Sequence, residues 1–279
     1  MIASNTQQPG VALSVSVVAY RPDVHQLLNT LQSLRIAVLA GRQSRQVDAS
    51  LYLVDNGALP DLTSILHELE GDGVTCVTIS GHGNVGYGRG HNLAIGRTTA
   101  DYHLVLNPDI DLAPDSLAQA LEFLDKHPNA GLLSPQIGDD QQDLQFLCRR
   151  YPTVLDLFLR GFVPAGFQRP FSERLDRYEM RDVINKSEVV WDPPLVSGCF
   201  MLFRTEVLKR IGGFDPRYFL YFEDYDLSIR TRDVARIAYM PAVRVLHHGG
   251  GAARKGWPHI RMFVTSAVKF FNRFGWKWL

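Results

Sequence analysis

The feature that most constrains the fold is a regular alternation of strand-like and helix-like segments along the first half of the chain. Short runs of β-branched and apolar residues, bounded by turn residues, predict strands, and apolar residues at helical spacing lie between them. The predicted strands lie at 13–19, 50–54, 74–79, 102–106 and 130–134. The predicted helices lie at 27–34, 62–69, 114–124 and from 93 onward. This alternation is typical of an α/β protein with a mostly parallel sheet covered by helices on both faces.

The second half of the chain lacks this regularity. Residues from about 136 to 194 are polar, Arg-rich and Pro-rich, which predicts loops and short helices. A strand is predicted at 199–203, and helices at 205–211 and 224–232. Apolar residues recur at helical spacing over 260–274, so an amphipathic C-terminal helix is expected.

Composition narrows the class of protein. Of the 279 residues, 46% are hydrophobic and 21% are charged, so the chain can bury a core and disorder is not expected. The cysteines, Cys76, Cys148 and Cys199, lie far apart without the spacing of a zinc site. Neither a leader-like N-terminus nor an apolar run of 18 residues is present, so we expect a cytoplasmic protein without a membrane span.

Charge is unevenly distributed although the net charge is zero. Residues 234–279 contain eight Lys and Arg and no Asp or Glu, which leaves 21 basic and 29 acidic residues in the remainder. This asymmetry indicates an anionic partner for the C-terminal segment, such as phosphate, nucleic acid or a lipid surface. No helix-turn-helix, RNP-like or finger motif accompanies it, so nucleic acid is not expected.

Polar residues follow the predicted strands, where ligands bind in parallel α/β sheets. Asp55 can accept a hydrogen bond from a nucleobase, or it can form a turn before Gly57. Five glycines between 81 and 90 allow close approach of a diphosphate, or serve only to shape a loop. Asp109 and Asp111 can hold Mg²⁺ or Mn²⁺ against a diphosphate, although Asp111 can also cap the next helix.

Two further groups of ionisable residues follow in the second half. Glu223 and Asp224 come after the aromatic run YFLYF, where apolar surroundings can raise a carboxyl pKa and make a general base. The alternative is an acidic first turn of a helix. His247 and His248 precede three glycines, and are either metal ligands or structural histidines.

Taken in chain order, these motifs resemble glycosyltransferase family 2, the inverting enzymes of the GT-A fold, and in particular its bacterial rhamnosyltransferase-like branch. The resemblance covers about residues 13–275. The matching motifs are VDN (54–56), N-x-G-[FY]-x-x-G-x-N (84–92), LNPD (106–109), SG-x-F-M-L-x-R (197–204), GGFD (212–215), F-x-YFED-x-DL (219–227) and V-x-HHGGG (245–251). Departures are AYR at 19–21, where many relatives have TYN, and His91, where an Asn is common.

The resemblance implies a role for each motif residue. Asp224 would be the general base, with Glu223 as the second candidate. The metal, Mg²⁺ or Mn²⁺, would be held by Asp109, Asp111 and His247. The residues implied in nucleotide-sugar binding are Ala19, Tyr20, Asp55, Asn84, Gly86, Tyr87, Asn92 and Asn107. The aromatic side chains that would stack on sugar rings or belong to the core are Trp191, Tyr218, Phe219, Tyr221 and Phe222.

We therefore expect one GT-A domain over 1–279, with a nucleotide-sugar-binding half (about 12–135), an acceptor and catalytic half (about 136–252) and a basic amphipathic helix (about 253–279). The expected reaction moves L-rhamnose from dTDP-rhamnose to a glycan or lipid-linked glycan in cell-surface polysaccharide or lipopolysaccharide synthesis. The C-terminal helix would dock on an anionic membrane or cover the core. The alternatives are a UDP- or GDP-sugar donor, a sugar-phosphate nucleotidyltransferase or a non-catalytic sugar-nucleotide-binding protein. The sequence leaves the oligomeric state open.

Overall fold

The computed structural model describes residues 8–139, 141, 143–248 and 256–279. Its strands and helices alternate through the first half of the chain as the sequence predicts. The strands are β1 Gln8–Tyr20, β2 Arg45–Gly57, β3 Val74–Ile79, β4 Tyr102–Leu106, β5 Ile110–Leu112, β6 Ala130–Gly138, β7 Val190–Trp191, β8 Phe200–Arg204 and β9 Arg236–His247. The helices are α1 Val24–Gly41, α2 Thr63–Gly71, α3 Tyr87–Ile95, α4 Ser116–Lys126, α5 Val154–Phe162, α6 Ala165–Gln168, α7 Ser172–Tyr178, α8 Thr205–Arg210, α9 Glu223–Arg232 and α10 Trp257–Phe274, with a 3-10 turn at Arg169–Phe171.

The nine strands of the described residues form one open sheet in the order β3-β2-β1-β4-β8-β6-β9-β5, and β7 pairs with β9. Strands β3, β2, β1 and β4 run parallel, as do β6 and β9. Strand β8 is antiparallel to both of its neighbours, and β5 and β7 are antiparallel to β9. The predicted α/β class with a mostly parallel sheet is confirmed.

The central strands of the sheet are apolar because both of their faces are covered. All five residues of β4 are buried, and Leu13, Leu104 and Leu202 of three neighbouring strands are fully inaccessible to solvent. Buried runs of this kind are expected for strands between two helix layers. Because β1, β2 and β4 run parallel, their carboxyl ends lie at the same edge of the sheet, where the motif residues lie.

Helix α3 begins at Tyr87, inside the glycine segment, rather than near 91–93 as the sequence predicted. The glycines in this helix have no side chain, and this allows the helix to pack very closely on its neighbours. A β-carbon at Gly88 would lie 2.8 Å from the Phe214 side chain, and one at Gly90 would lie 2.8 Å from Val18. Close packing thus explains these glycines without a ligand.

Helix α10 extends the predicted 260–274 helix by three residues and covers the second half of the molecule. Its Phe270 and Phe271 form a buried cluster with Tyr218 and Phe222. Most of the apolar stripe of α10 therefore packs against the protein, as the core-covering alternative required, whereas Val264 and Val268 of the stripe are exposed. Within the described residues, no helix is long and apolar enough to cross a membrane.

Candidate active site

The ends of β1 and β2 place an aromatic ring beside a carboxylate. Ala19 is paired with Asp55, and Tyr20 with Gly57, in the parallel register of the two strands. Asp55 Oδ1 accepts a hydrogen bond of 2.8 Å from the Gly57 N–H, which is the turn that the sequence offered as its alternative role. The Tyr20 ring is 49% exposed. The turn thus fixes the Asp55 carboxylate next to an open aromatic surface suited to a nucleobase.

The glycine segment is held by amide side chains on both sides. Asn56 is buried and donates from Nδ2 to the Gly86 carbonyl at 3.0 Å, and Asn84 Oδ1 accepts from the Gly86 N–H at 3.0 Å. Gly86 has φ of +89°, and a β-carbon there would lie 2.3 Å from the Phe219 carbonyl oxygen. Only glycine fits this position. Asn56 belongs to the VDN motif, but its role in positioning this loop was not predicted from the sequence.

Asn92 is engaged with the backbone of the GGFD segment. Its Nδ2 donates to the Phe214 carbonyl at 2.7 Å and its Oδ1 accepts from the Phe214 N–H at 2.9 Å. These bonds use both polar atoms of the Asn92 side chain in joining two segments that are 122 residues apart. Asn92 therefore has a structural role. The contact between Asn92 and the sugar nucleotide stays a prediction.

The turn at Ser197-Gly198 links α3 to the carboxylate pair. The Tyr87 hydroxyl donates to the Gly198 carbonyl at 2.5 Å, and the Gly198 N–H donates to Asp224 Oδ2 at 2.9 Å. Burial raises the pKa of Tyr87 well above its ordinary value, and the nearby acidic groups, which include Asp224 and Asp109, raise it further. Tyr87 is therefore a neutral hydroxyl donor that lies within electrostatic reach of these acidic groups.

Glu223 and Asp224 occupy the first turn of α9 in different surroundings. Glu223 is 5% exposed, and its Oε2 has no hydrogen-bond partner among the described residues. Burial, and next the charge of Asp224, raises the pKa of Glu223 to about 8. Asp224 is partly buried, and its carboxylate accepts from the backbone N–H groups of Gly198 and Tyr225 at 2.9 Å each. Burial also raises the pKa of Asp224, but these donors favour its ionised form, so the proton of the pair resides on Glu223.

The backbone before this pair is strained. Tyr221 and Phe222 have φ of +71° and +66°, in the left-handed region that non-glycine residues rarely adopt. Each such residue costs on the order of 1–3 kcal/mol, which the surrounding aromatic packing must offset. This turn sets the direction in which Glu223 and Asp224 leave the chain.

The candidate metal ligands lie between the end of β4 and the paired strands β5 and β9. Asp109 Oδ2 is 3.6 Å from His247 Nε2, and Asp111 Oδ2 is 2.8 Å from His248 Nε2. His247 Nδ1 is 3.3 Å from Gln145 Oε1, and in the tautomer that donates this bond Nε2 keeps a lone pair for a cation. The glycines of the V-x-HHGGG motif, 249–251, lie outside the described residues.

The oxygen and nitrogen atoms of this cluster fit a divalent cation only when a substrate supplies further ligands. Buried Asp111 Oδ1 and Asn107 Oδ1 have no hydrogen-bond partner in the described part of the chain. In those same residues, no group of three or more His, Cys, Asp or Glu is arranged to hold a metal ion alone. A Mg²⁺ or Mn²⁺ ion bound by one or two carboxylates takes its other ligands from phosphate and water.

A cleft of about 730 Å³ opens onto the carboxylate pair. Glu223, Asp224, Tyr221 and Phe263 line it, together with residues of α5, α7 and the 3-10 turn. Of the predicted stacking aromatics, Tyr218 belongs to the core, and Phe222 is only 4% exposed but lines the cleft beside Tyr221. Trp191 packs on His127 and Phe123 away from this cleft. A second cavity of about 880 Å³ lies at the amino ends of β6 and β9 and is lined by none of the predicted site residues.

Solved structures place this fold among the GT-A glycosyltransferases. The structure of GalNAc-T7 with UDP, GalNAc and Mn²⁺ is 15% identical and superposes with a TM-score of 0.60 over 86% of this chain and 43% of that chain. The structure of Staphylococcus aureus TarS 1-349 in complex with UDP-GlcNAc, also 15% identical, gives a TM-score of 0.58 over 94% of this chain and 67% of that one. This chain thus spans less than half of the GalNAc-T7 chain.

The chain belongs to the family described as "Glycosyltransferase like family 2", whose model matches residues 9–256. It is 28% identical to the N-acetylglucosaminyl-diphospho-decaprenol L-rhamnosyltransferase of Mycobacterium tuberculosis, over 85% of this chain and 76% of that protein. It is also 28% identical to rhamnosyltransferase WbbL of Escherichia coli, over 61% of this chain and 63% of that protein. The family and branch that the sequence motifs indicated are confirmed.

Proposed function

We propose that this protein is an inverting glycosyltransferase that moves L-rhamnose from dTDP-rhamnose to a glycan or lipid-linked glycan acceptor. The donor sugar is supported by two relatives whose names specify rhamnosyl transfer. The observation that carries the proposal is the Asp224 carboxylate, which is fixed by two backbone N–H groups and lines an open cleft.

The acceptor hydroxyl is the nucleophile in this reaction. Its oxygen forms a bond to the anomeric carbon, the bond from that carbon to the diphosphate oxygen breaks, and the hydroxyl proton passes to Asp224. Attack from the face opposite the leaving group inverts the anomeric configuration. Neutral Glu223 and the neutral Tyr87 hydroxyl leave Asp224 as the ionised base.

On the donor side, Asp55 and Tyr20 contact the nucleobase, and the loop from Asn84 to Tyr87 lies against the diphosphate. Asp109 and His247 would hold the divalent cation, with Asp111 oriented by His248 beside them. Such a cation supplies positive charge that offsets the charge developing on the leaving diphosphate. The GalNAc-T7 structure, which contains Mn²⁺ and UDP, supports this assignment by its similar fold.

The acceptor is placed at the membrane in this proposal. The Mycobacterium tuberculosis relative is named for an acceptor attached to decaprenol through a diphosphate. We therefore propose that the protein works in the cytoplasm at the inner face of the cell membrane, in the synthesis of cell-surface polysaccharide. Residues 12–135 bind the donor and residues 136–252 bind the acceptor within one domain.

A donor screen tests the proposed function. Purified protein is incubated with dTDP-, UDP- and GDP-sugars, with Mg²⁺, with Mn²⁺ and with EDTA, and nucleotide release is measured. We expect metal-dependent release from dTDP-rhamnose that falls by 10²- to 10⁴-fold in Asp224→Asn and is unchanged in Asp233→Asn, an exposed control beyond the end of α9. Preference for a UDP- or GDP-sugar would overturn the donor assignment. Turnover that is unaffected by EDTA and by Asp109→Ala would overturn the proposed role of a metal ion.

A further inference from the structure

The wall of the cleft formed by α5, the 3-10 turn and the end of α7 has an excess of positive charge. Arg160, Arg169 and Arg181 line this wall, and the carboxylates that line it between 157 and 181 are Asp176 and Glu179. The mechanism proposed above uses none of these arginines.

One carboxylate serves several of the guanidinium groups. Glu179 contacts Arg160 Nε at 2.9 Å, Arg181 Nη2 at 2.7 Å and Arg149 Nη2 at 3.6 Å. Asp176 also pairs with Arg181, with 3.2 Å between Oδ1 and Nε. A guanidinium group has five N–H donors, so these two carboxylates leave further donors on both Arg160 and Arg181. Arg160 and Arg181 are each nearly half exposed, so their remaining donors are accessible from the cleft.

Arg169 adds a charge without a compensating partner. Its side chain is exposed, lines the same cleft and makes no hydrogen bond or ion pair with the residues that the structure describes. Guanidinium groups that converge from two or more positions bind phosphate oxygens through paired hydrogen bonds. The wall therefore has the donors and the charge of a phosphate site.

Exposed aromatic side chains lie on, or next in sequence to, the segments that line this cleft. Phe162 lines the cleft, is 47% exposed and stacks on Phe158 with a ring separation of 6.1 Å. Phe167 is 74% exposed next to cleft-lining Gln168, and Trp257 is 76% exposed one turn before cleft-lining Ile260. Large apolar side chains exposed together are costly in water unless an apolar ligand or surface covers them.

We infer that the cleft binds an acceptor in which a phosphate or diphosphate lies between the sugar and an apolar chain. Arg160, Arg169 and Arg181 bind the phosphate, the sugar hydroxyl reaches Asp224, and the apolar chain leaves over Phe162 and Phe167. Phe162 lines the same cleft as Asp224 and the three arginines, so one acceptor can contact the base, the arginines and an aromatic ring. This inference rests on the proposed function, because it takes Asp224 as the base for the acceptor hydroxyl.

The test compares synthetic acceptors that differ in the phosphate and in the apolar chain. The probes are N-acetylglucosaminyl diphosphate with a farnesyl chain, the same diphosphate with a methyl group, and octyl N-acetylglucosaminide, which has no phosphate. In Arg169→Gln and in Arg160→Gln we expect KM for the farnesyl diphosphate to rise on the order of 10-fold, since each variant loses charge-assisted hydrogen bonds. KM for the octyl glycoside and metal-dependent donor hydrolysis should not change.

Matched variants separate this role from a structural one. Arg177→Gln removes an exposed arginine of α7 that does not line the cleft, and should leave every KM unchanged. Arg160→Lys should restore part of the lost affinity by retaining the charge. Phe162→Ser with Phe167→Ser should reduce the preference for farnesyl over methyl diphosphate.

The outcomes distinguish a failure of this inference from a failure of the proposed function on which it rests. Equal KM values for phosphate and phosphate-free acceptors in the unaltered protein, or no change in Arg160→Gln and Arg169→Gln, would overturn the phosphate site while leaving the transferase intact. A loss of affinity for all three acceptors in these variants would show that the arginines only support the fold. Absence of any transfer or donor hydrolysis by the unaltered protein would instead remove the proposed function.

Discussion

At the scale of single residues, Glu223 and Asp224 show how two adjacent carboxyl groups acquire different protonation states. Glu223 is 5% exposed and has no partner for Oε2 among the described residues, whereas Asp224 is less buried and has two backbone donors. Ionising the second carboxyl group of such a pair is costly because desolvation and repulsion both oppose it. The negative charge therefore resides on the residue that can use it as a base.

This arrangement predicts that Glu223→Gln keeps the acidic limb of the pH profile. Asp224 is the carboxyl group that ionises first, next to a neutral Glu223, so an uncharged glutamine leaves that ionisation in place. The unaltered protein should also show a change in activity near pH 8, where Glu223 ionises beside Asp224, and Glu223→Gln should lack this change. The measurement is kcat/KM against pH, with exposed Glu206→Gln as the control. If Glu223→Gln loses activity at every pH and Asp224→Asn does not, Glu223 is the base.

Buried hydrogen-bonding contacts explain His91, which departs from the family motif. His91 and His103 are fully buried, and both contact Ser16 Oγ, at 2.7 Å and 2.9 Å respectively. His103 Nδ1 also lies 2.7 Å from Ser14 Oγ. Burial lowers the pKa of His91 well below its ordinary value and that of His103 to about 3. These rings are neutral structural groups rather than ligand contacts.

The two histidines predict acid sensitivity of the fold. Their folded-state pKa values are depressed, so only the unfolded chain takes up protons as the pH falls below about 6.5, and stability is lost in that direction. Each neutral histidine contributes a slope of about 1.4 kcal/mol per pH unit below this value. Urea unfolding at pH 7.5 and pH 5.5 should show a smaller pH dependence for His103→Gln than for the unaltered protein. An equal dependence would contradict this account.

At the scale of elements, α10 illustrates why an amphipathic pattern does not identify what covers it. Its apolar face packs on the aromatic residues around α9, and Arg273 is 2.6 Å from the buried Asp226 carboxylate. Lys269 donates to the Arg217 carbonyl at 2.7 Å. Two of the basic residues that suggested membrane binding thus have partners within the protein.

The packing of α10 predicts unequal costs along its length. Phe270 is fully buried, so Phe270→Ala should lower the free energy of unfolding by about 3–5 kcal/mol. Val264 is 48% exposed on the same helix, and Val264→Ala should change it by less than about 0.5 kcal/mol. Chemical denaturation without lipid measures both. Equal effects would show that the helix does not cover the core.

The strands were predictable from sequence, but some elements around them were not. An apolar run that ends at turn residues predicts β4, all five residues of which are buried, and it places Asp109 after the carboxyl end of that strand. Strand β5 has only three residues, too few for a period, and it exists because it pairs with β9. The cleft was also beyond prediction, because it depends on how α5, α7 and α10 pack around Asp224.

At the scale of the whole molecule, the two halves of the chain share one sheet. Strand β8 comes from the second half and lies between β4 and β6 of the first, where Leu202 is paired with both Leu104 and Leu133. Arg204, at the end of β8, donates from Nε to the Ala130 carbonyl at 3.0 Å and from Nη2 to the Leu124 carbonyl at 2.5 Å. Neither half can complete the centre of the sheet alone.

This topology predicts that the halves do not fold independently. A fragment that ends at residue 138 lacks β8, so β4 keeps an open edge and the buried faces of β4 and β6 lose the strand that joins them. We expect such a fragment to show no cooperative thermal transition and to aggregate. The whole chain should unfold in one transition that coincides by tryptophan fluorescence and by far-UV circular dichroism. Two separate transitions in the whole chain, or a cooperative transition in the fragment, would show that the donor-binding half folds by itself.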